Sequence, residues 1–219
     1  MTWLNLNGFT DFSDPFEEES PISDIIQDTL VRKGIYCINL IGALGSGKTS
    51  CLIRIAEGLR DVKSYAIKGG DIGSDIDVQK LVRHGIEAAL LPAGGACHID
   101  GILVKKTLGK LSLSQKGVLF IENTGDLICP AKFNIGENIK FLIVTVADGA
   151  DKPYKYPLAF DRAGVILVNK VDLKPYMDFD IAYFSKGVRA LNVHNPIFEV
   201  SAKTGTGFEA VCEWIKARL

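Results

Sequence analysis

YCINLIGALGSGKT, residues 36–49, joins an apolar run of strand type directly to a loop with three glycines and one lysine. The loop fits the pattern G-x-x-x-x-G-K-[S/T] with Gly42, Gly47, Lys48 and Thr49. Glycine lets such a loop wrap a chain of phosphates, and the helix that follows adds the attraction of its positive N-terminal end. In this pattern the lysine reaches the β- and γ-phosphates and the hydroxyl binds Mg²⁺, so the stretch predicts a nucleotide polyphosphate site.

Short β-rich runs recur along the rest of the chain, with helical patterns between most of them. The predicted strands are 36–41, 64–69, 87–91, 117–122, 140–147, 164–169 and 197–201. The predicted helices include 22–34, 48–60, 77–85 and 207–219. Apolar strands that alternate with helices predict a three-layer α/β fold, with a mostly parallel sheet of about seven strands covered on both faces. Ligands of such sheets bind beyond the carboxyl ends of the strands.

The length and composition suit one ordinary domain. The chain has 219 residues, 47% of them hydrophobic, and a formal net charge of −1. This allows one domain with a sizeable core, which we expect at 22–219. Residues 1–21 mix acids, aromatics and prolines without a clear period, so we expect a mobile N-terminal arm, with a docking segment as the alternative. The near-neutral charge disfavours nucleic-acid binding.

Several features predict a cytoplasmic protein without a membrane segment. No apolar run reaches the ~20 residues needed to span a bilayer. No basic residue precedes Arg32, so the positive start of a secretory signal is missing. The cysteines are odd in number and widely scattered, which indicates reduced thiols or metal ligands rather than a disulfide framework. They are Cys37, Cys51, Cys97, Cys129 and Cys212.

Three short segments, each at the end of a predicted strand, resemble segments that GTPases place around the γ-phosphate and the base. They are ENTG (122–125), NKVD (169–172) and SAKTG (201–205). The resemblance implies that the Asp172 carboxylate accepts hydrogen bonds from the N1–H and exocyclic amine of guanine. Adenine lacks this donor pair on that edge, so the site is expected to select GTP or GDP.

The same resemblance implies further contacts. Lys170 lays its alkyl stem along the base, Asn169 ties the loops, and the backbone near Ala202 and Lys203 meets guanine O6. The Gly125 N–H contacts the γ-phosphate. The expected nucleotide ligands are therefore Gly42, Gly45, Ser46, Gly47, Lys48, Thr49, Ser50, Gly125, Asn169, Lys170, Asp172, Ser201, Ala202 and Lys203.

Four residues are predicted to support hydrolysis. Lys48 and Thr49 come from the phosphate loop, while Asp71 and Glu122 are the acids best placed to hold Mg²⁺ or its waters. The predicted magnesium ligands are thus Thr49, Asp71 and Glu122. Asp126 stands where Ras-like GTPases carry the glutamine that orients the attacking water. We therefore expect slow intrinsic hydrolysis, completed by a partner or a second subunit.

A second group of residues has the chemistry of a soft-metal site. Cys97 and His98 lie in GGACHID, and Cys129 lies just beyond the γ-phosphate segment. Thiolate and imidazole suit zinc and nickel. Three ligands fall short of the four of a closed zinc site, so water, an acid or another chain would have to complete it. Two reduced cysteines and a polar loop histidine are the alternative.

The motifs together resemble those of HypB proteins, the GTPases that incorporate nickel into hydrogenases. The resemblance covers 34–219 and depends above all on the pairing of GGACHID with the run FIENTGDLICPAKFNIGE, which begins at Phe120. It implies a SIMIBI-type P-loop G domain and a homodimer formed on GTP binding. It implies that Cys97, His98 and Cys129 hold nickel or zinc near the subunit interface. The implied partners are a nickel chaperone and the large subunit of nickel–iron hydrogenase.

Some departures and alternatives remain. No cysteine-rich or histidine-rich metal stretch occurs, and Asp126 replaces the asparagine usual in HypB. A urease-accessory GTPase of the UreG type, a regulatory GTPase without metal and a P-loop kinase are the competing hypotheses. Asp77 is interpreted as a helix N-cap. Lys152 is assigned neither to nucleotide, to a partner subunit nor to a solvated turn.

Overall fold

The computed structural model describes residues 21–70, 75–113 and 116–219. The strands are β1 (Ile35–Ile41), β2 (Lys63–Gly70), β3 (Glu87–Pro92), β4 (Gly117–Glu122), β5 (Ile139–Thr145), β6 (Val165–Asn169) and β7 (Ile197–Glu199). The helices are α1 (Pro21–Arg32), α2 (Lys48–Gly58), α3 (Asp75–Arg83), α4 (Gly101–Leu108), α5 (Cys129–Lys132), α6 (Lys152–Lys155), α7 (Pro157–Arg162), α8 (Ile181–Leu191) and α9 (Phe208–Lys216). None of these described helices combines the length and apolar character that crossing a bilayer requires.

All seven strands form one parallel sheet in the order β3-β2-β4-β1-β5-β6-β7. The predicted α/β class and parallel sheet are confirmed. In the register of the sheet, Leu40 and Lys68 flank Glu122 on its two sides, and Thr145 pairs with Asn169. The polar ends of the central strands therefore meet along one edge, where ligands of parallel sheets bind.

Side-chain alternation along β1 explains the three layers. Ile38 and Leu40 face a cluster that includes α2, α3 and α9, whereas Ile35 and Cys37 face a cluster with α1 and α4. A third cluster places α7 and α8 against β5 and β6. The central strands β1, β4 and β6 are buried on both faces and most of their residues are apolar, which is the pattern of a covered parallel sheet.

Two strands end earlier than predicted. β5 stops at Thr145 because Thr145 N–H donates to Asp148 Oδ2 at 2.8 Å, which starts a 3₁₀ turn. β7 stops at Glu199 because Ser201 N–H donates to Thr206 O and begins a loop. The predicted mobile arm lies almost wholly outside the described residues, which begin with α1 at Pro21.

Candidate nucleotide and metal site

The loop between β1 and α2 has the backbone that a polyphosphate requires. Gly47 has φ of 94°, and a Cβ there would lie 2.5 Å from Asn169 Nδ2, so only glycine fits. A Cβ on Gly42 would lie 2.4 Å from Ile143 O. α2 starts directly after Gly47 without a side-chain cap and without an acid in its first turn, so its N-terminal end is open to an anion.

Ser46 and Lys48 point to a polar group that belongs in this loop. Ser46 Oγ is buried without a hydrogen-bond partner among the described residues. Lys48 is 7% exposed, and its ammonium donates to Gly42 O at 2.8 Å and Ala43 O at 3.2 Å. Burial lowers the pKa of Lys48 to about 8, although the nearby Glu122 acts in the opposite direction. Both side chains fit the predicted phosphate contacts, since an anion would satisfy them.

The predicted magnesium ligands Thr49 and Glu122 come together at the end of β4. Thr49 Oγ1 donates to Glu122 Oε1 at 2.8 Å and to Oε2 at 2.9 Å. Lys68 Nζ, which the sequence did not single out, pairs with Glu122 Oε1 at 2.5 Å and with Asp77 Oδ2 at 3.5 Å. Hydroxyl and carboxylate oxygens are the donors that Mg²⁺ prefers, so these residues fit that ion. The other predicted acid, Asp71, lies outside the described residues.

The N-cap interpretation of Asp77 is wrong. α3 begins at Asp75, so Asp77 lies inside the first turn of the helix, where its carboxylate faces Lys68 across 3.5 Å. Lys152 begins α6 and places its ammonium 4.8 Å from the centroid of the Tyr156 ring, a cation–π contact on its own segment.

The base-binding loops are joined by one buried side chain. Asn169 is 1% exposed, and its Nδ2 donates to Ser46 O at 2.9 Å while its Oδ1 accepts from Ala202 N–H at 3.0 Å. The tie that the sequence predicted for Asn169 is thus present as geometry. It links the phosphate loop to the loop after β7.

Ser201, in the neighbouring loop, orients the Asp172 carboxylate by a hydrogen bond. Ser201 Oγ donates to Asp172 Oδ1 at 2.6 Å and accepts from Thr204 N–H at 3.2 Å. Lys170 has φ of 62°, the only non-glycine residue in the described part of the chain with a positive φ. Such backbone costs free energy and clusters at ligand sites. Its position between Asn169 and Asp172 is consistent with a side chain laid along a base.

The three soft-metal candidates lie close to one another. One ligand atom from each of Cys97, His98 and Cys129 falls within 4.8 Å of the others, and Cys97 Sγ is 3.5 Å from His98 Nδ1. The His98 ring stacks on Phe133 with centroids 4.3 Å apart and planes 12° from parallel. Cys97 is exposed and the other two ligands are half-buried, so an ion here is reachable from solvent.

Asp126 shapes the turn that carries Cys129. Its carboxylate accepts hydrogen bonds from Leu127 N–H at 2.6 Å, Ile128 N–H at 3.0 Å and Cys129 N–H at 3.3 Å. Burial works to raise the pKa of Asp126, but these hydrogen bonds outweigh it and hold the pKa below its ordinary value. The thiol of Cys97, burial and Asp126 together raise the pKa of Cys129 to about 12.

A buried asparagine connects the γ-phosphate segment to the metal loop. Asn123 Oδ1 accepts from Ile99 N–H at 3.2 Å and from Thr124 N–H at 3.0 Å. Its Nδ2 donates to Asn39 Oδ1 at 3.3 Å, and Thr124 Oγ1 donates to Cys97 O. Asn123 is 1% exposed, so its hydrogen bonds to Ile99 and Asn39 are shielded from water and costly to break.

Comparison with known proteins assigns the family. Residues 36–199 match the family model described as CobW/HypB/UreG, nucleotide-binding domain. A probable hydrogenase maturation factor HypB from Methanocaldococcus jannaschii is 31% identical, and the match covers 97% of both chains. The chain belongs to the HypB family. The resemblance to HypB and the predicted SIMIBI-type P-loop fold are therefore confirmed.

Other HypB proteins give the same result. The hydrogenase maturation factor HypB of Rhizobium leguminosarum bv. viciae is 36% identical over 84% of this chain. The chain spans 62% of the length of that relative. The crystal structure of HypB from Helicobacter pylori in complex with nickel superimposes with a TM-score of 0.85 at 26% identity, covering 90% of this chain and 93% of that chain.

Within this HypB fold, the structure brings the sequence-predicted residues into two adjoining groups along one sheet edge. The nucleotide group comprises Gly42, Gly45, Ser46, Gly47, Lys48, Thr49, Ser50, Glu122, Gly125, Asn169, Lys170, Asp172, Ser201, Ala202 and Lys203. The metal group comprises Cys97, His98 and Cys129. Cys37, Cys51 and Cys212 are buried in the core, as expected for structural thiols.

Sequence reasoning missed four side chains that organise these groups. Arg54, Lys68, Asn123 and Phe133 each contact a segment distant in sequence. Asn123 lies within the ENTG segment and Lys68 lies three residues before Asp71, so their positions carry a usable signal. Arg54 and Phe133 carry no local signal, because their partners are defined only by the fold.

Proposed function

We propose that the chain is a GTP-hydrolysing metallochaperone that helps deliver nickel to the large subunit of nickel–iron hydrogenase. It acts as a dimer formed on GTP binding and alongside a partner nickel chaperone. One observation carries the proposal: the soft-metal ligands and the γ-phosphate segment belong to one hydrogen-bonded unit, through Asn123, Thr124 and the turn to Cys129. Other HypB proteins bear names that agree with this role.

The phosphate end would act by positioning and charge. Lys48 would exchange its contacts with Gly42 O and Ala43 O for phosphate oxygens, and the open N-terminus of α2 would face the same anion. Thr49 and Glu122 would hold Mg²⁺, which neutralises charge developing on the phosphates during transfer. Gly125 has no side chain to obstruct this approach, and a Cβ there would lie 2.2 Å from Leu44 Cγ.

Guanine selection would depend on a carboxylate that is already oriented. Asp172 is fixed by the hydroxyl of Ser201 at 2.6 Å, so binding the N1–H and exocyclic amine of guanine requires little further ordering. Adenine presents no matching donor pair and would leave the carboxylate unpaired, which a hydrogen-bonding site discriminates against strongly.

Intrinsic hydrolysis is proposed to be slow. The residue after Gly125 is Asp126, whose carboxylate is engaged by three backbone N–H groups rather than available to orient water. A GTPase without a water-orienting side chain depends on a group supplied from elsewhere. A second copy of this chain is the proposed source.

The metal site supports a dimer for an independent reason. Cys97, His98 and Cys129 offer three ligand atoms, one short of a closed tetrahedral site. Their partial exposure leaves room for a ligand from a second chain. A shared ion would therefore be bound when two copies meet and released when they part.

The test is a nickel titration of the purified full chain with Mg²⁺ and either GDP or a non-hydrolysable GTP analogue, followed by sizing chromatography. The proposal expects a dimer that holds nickel tightly with the analogue, and monomer with weaker nickel binding with GDP. A single-turnover assay on monomeric protein should show slow hydrolysis.

Two controls make the outcome interpretable. His98→Ala should lose nickel affinity. His194→Ala should not, because this exposed histidine lies in the loop before β7, at the opposite edge of the sheet from β3, which the Cys97 loop follows. Equal nickel affinity with GDP and with the analogue would contradict the coupling. Nucleotide-driven dimers without any bound metal would favour a regulatory switch instead.

A further inference from the structure

Arg54 connects the helix of the phosphate loop to the loop that follows β7. Its Nε donates to Ala202 O at 2.8 Å and its Nη2 donates to Lys203 O at 3.1 Å. Its Nη1 pairs with Glu57 Oε2 at 3.1 Å, three residues further along α2. A guanidinium is planar and presents its donors in a fixed fork, so these contacts define the direction of two consecutive carbonyls.

The direction of those carbonyls fixes the direction of an amide. In a trans peptide the C=O and the N–H point to opposite sides, and no cis peptide bond occurs among the described residues. Because Ala202 O points to Arg54, the N–H of Lys203, which belongs to the same peptide, points away from α2.

The neighbouring amides of this loop are already engaged. Ala202 N–H donates to Asn169 Oδ1 at 3.0 Å, and Thr204 N–H donates to Ser201 Oγ at 3.2 Å. Within the described part of the chain, Lys203 N–H donates to no protein acceptor. The Lys203 N–H is therefore a backbone donor on an exposed residue, and the contacts of Arg54 set its direction. It lies two residues after Ser201, which holds Asp172.

We propose that Arg54 is a positioning residue for guanine selection: it holds the carbonyls of Ala202 and Lys203 so that Lys203 N–H donates to O6 of the base. The inference rests on the proposed GTP binding, and what it adds is Arg54, a residue of α2 that orients the backbone facing O6. Asp172 accepts hydrogen bonds from the N1–H and the exocyclic amine, whereas the Lys203 amide, oriented by Arg54, donates a hydrogen bond to O6. Adenine carries an amine at that position, so donor would meet donor and the hydrogen bond would be lost.

The contact of Arg54 is with the backbone and not with the nucleotide. Removing Arg54 should therefore weaken only those nucleotides whose base carries a strong acceptor at position 6. A general loss of stability would weaken all nucleotides alike. Nucleotide analogues separate the two edges. 6-Thio-GDP replaces O6 by a weaker acceptor and keeps the N1–H and amine, whereas inosine diphosphate keeps O6 and lacks the amine.

The experiment measures dissociation constants of GDP, 6-thio-GDP and inosine diphosphate for the full chain and for Arg54→Ala. Loss of one oriented hydrogen bond is expected to weaken GDP and inosine diphosphate by about tenfold each. The affinity for 6-thio-GDP should change little, so the preference for GDP over 6-thio-GDP should collapse. The preference for GDP over inosine diphosphate should persist.

Two further variants serve as controls. Arg60→Ala removes an equal charge just after α2, from a residue whose Nε donates to Glu57 O at 3.2 Å, and should leave all three affinities unchanged. Arg54→Lys keeps the charge without the fork and should recover only part of the preference for GDP over 6-thio-GDP.

The outcomes distinguish this inference from the proposed function. If the unaltered chain binds no guanine nucleotide, the proposed function fails. If it binds GDP selectively but Arg54→Ala leaves the affinities unchanged, or weakens all three nucleotides equally, the role assigned to Arg54 is overturned.

Discussion

The two ends of the candidate site are built in opposite ways. At the base end, Asn169 and Ser201 are almost fully buried, and their hydrogen bonds hold Asp172 and the backbone of Ala202 in place. At the metal end, Cys97 is exposed, and the group offers three ligand atoms, from the loop of Cys97 and His98 and from the start of α5. The side chains that orient Asp172 all belong to one chain, whereas the three metal-ligand atoms are one fewer than a closed tetrahedral site has.

This difference indicates how the two ligands would be used. A preorganised site binds with little ordering cost and discriminates strongly, which suits a nucleotide that sets the state of the protein. An open, under-coordinated site binds an ion that can be passed on. The following predictions test whether the two ends are as separable as their construction suggests.

The largest expected effect is the loss of metal binding on removal of both thiols. The double variant Cys97→Ala, Cys129→Ala retains one of the three ligands, so nickel binding should become undetectable in equilibrium dialysis. GDP affinity should stay within about twofold, because neither thiol touches the base end. A parallel loss of nucleotide binding would show that the two ends are not separable. Cys212→Ala, a core thiol, is the matched control for cysteine removal.

The next effect concerns the base end alone. Asp172→Asn replaces the carboxylate by an amide that cannot accept from both guanine donors, so GDP should bind about 100-fold more weakly. Xanthosine diphosphate, which has a carbonyl in place of the amine, should bind better than to the unaltered chain. Fluorescent nucleotide titration measures both changes. Unchanged GDP affinity would remove Asp172 from base recognition.

A smaller effect is expected at Asn123, which connects the γ-phosphate segment to the loop that carries Cys97 and His98. Asn123→Ala leaves the Ile99 N–H without its acceptor, at a cost of about 1–3 kcal/mol in the free energy of unfolding. The ratio of nickel affinity with the GTP analogue to that with GDP should fall by about tenfold, toward one. Nickel titration in both nucleotide states measures it.

Asn138→Ala provides the matched control for that variant. Asn138 Oδ1 likewise accepts a backbone N–H, from Cys37 at 2.7 Å, but Asn138 directly precedes β5, at the opposite end of that strand from the candidate ligands. It should lower stability without changing the nickel ratio. An equal change of the ratio in both variants would mean that stability, and not the path through Asn123, governs the coupling.

The smallest expected effect tests how the metal end is held. Phe133→Leu removes the ring that stacks on His98 at 4.3 Å and keeps an apolar side chain. His98 would lose its fixed orientation, so nickel affinity should fall by about three- to tenfold, while GDP affinity should not change. Tyrosine at the same position preserves the stack and should restore the affinity. An unaltered affinity in the leucine variant would assign Phe133 to packing alone.

The sequence was most informative where chemistry is local. The phosphate loop and the segments around Asn169 and Ser201 are defined by a few consecutive residues, so the candidate nucleotide ligands could be predicted from short motifs. The ends of elements were less predictable. Asp100, the last residue of GGACHID, accepts from Leu103 N–H at 3.0 Å and caps α4. At this motif the sequence predicted a metal loop and did not predict the helix that follows it.

Contacts between distant segments could not be predicted from spacing. Arg54 reaches carbonyls 148 and 149 residues away, and Lys68 meets Glu122 across 54 residues. Both contacts arise because a parallel sheet brings neighbouring strand ends and the following helices together. Phe133 is similar, since its stacking partner His98 lies on another loop.

Lys68 compensates the charge of a buried carboxylate. Its ammonium sits against Glu122, a carboxylate that is only 2% exposed, and so supplies in advance the positive charge that a divalent cation would bring. If a chelator removed the proposed Mg²⁺ together with the nucleotide, the Glu122 carboxylate would still be paired with Lys68. An uncompensated charge in the interior would be severely destabilising. Glu122 on β4 is thus paired with a cation of its own chain, the ammonium of Lys68 on the neighbouring strand β2.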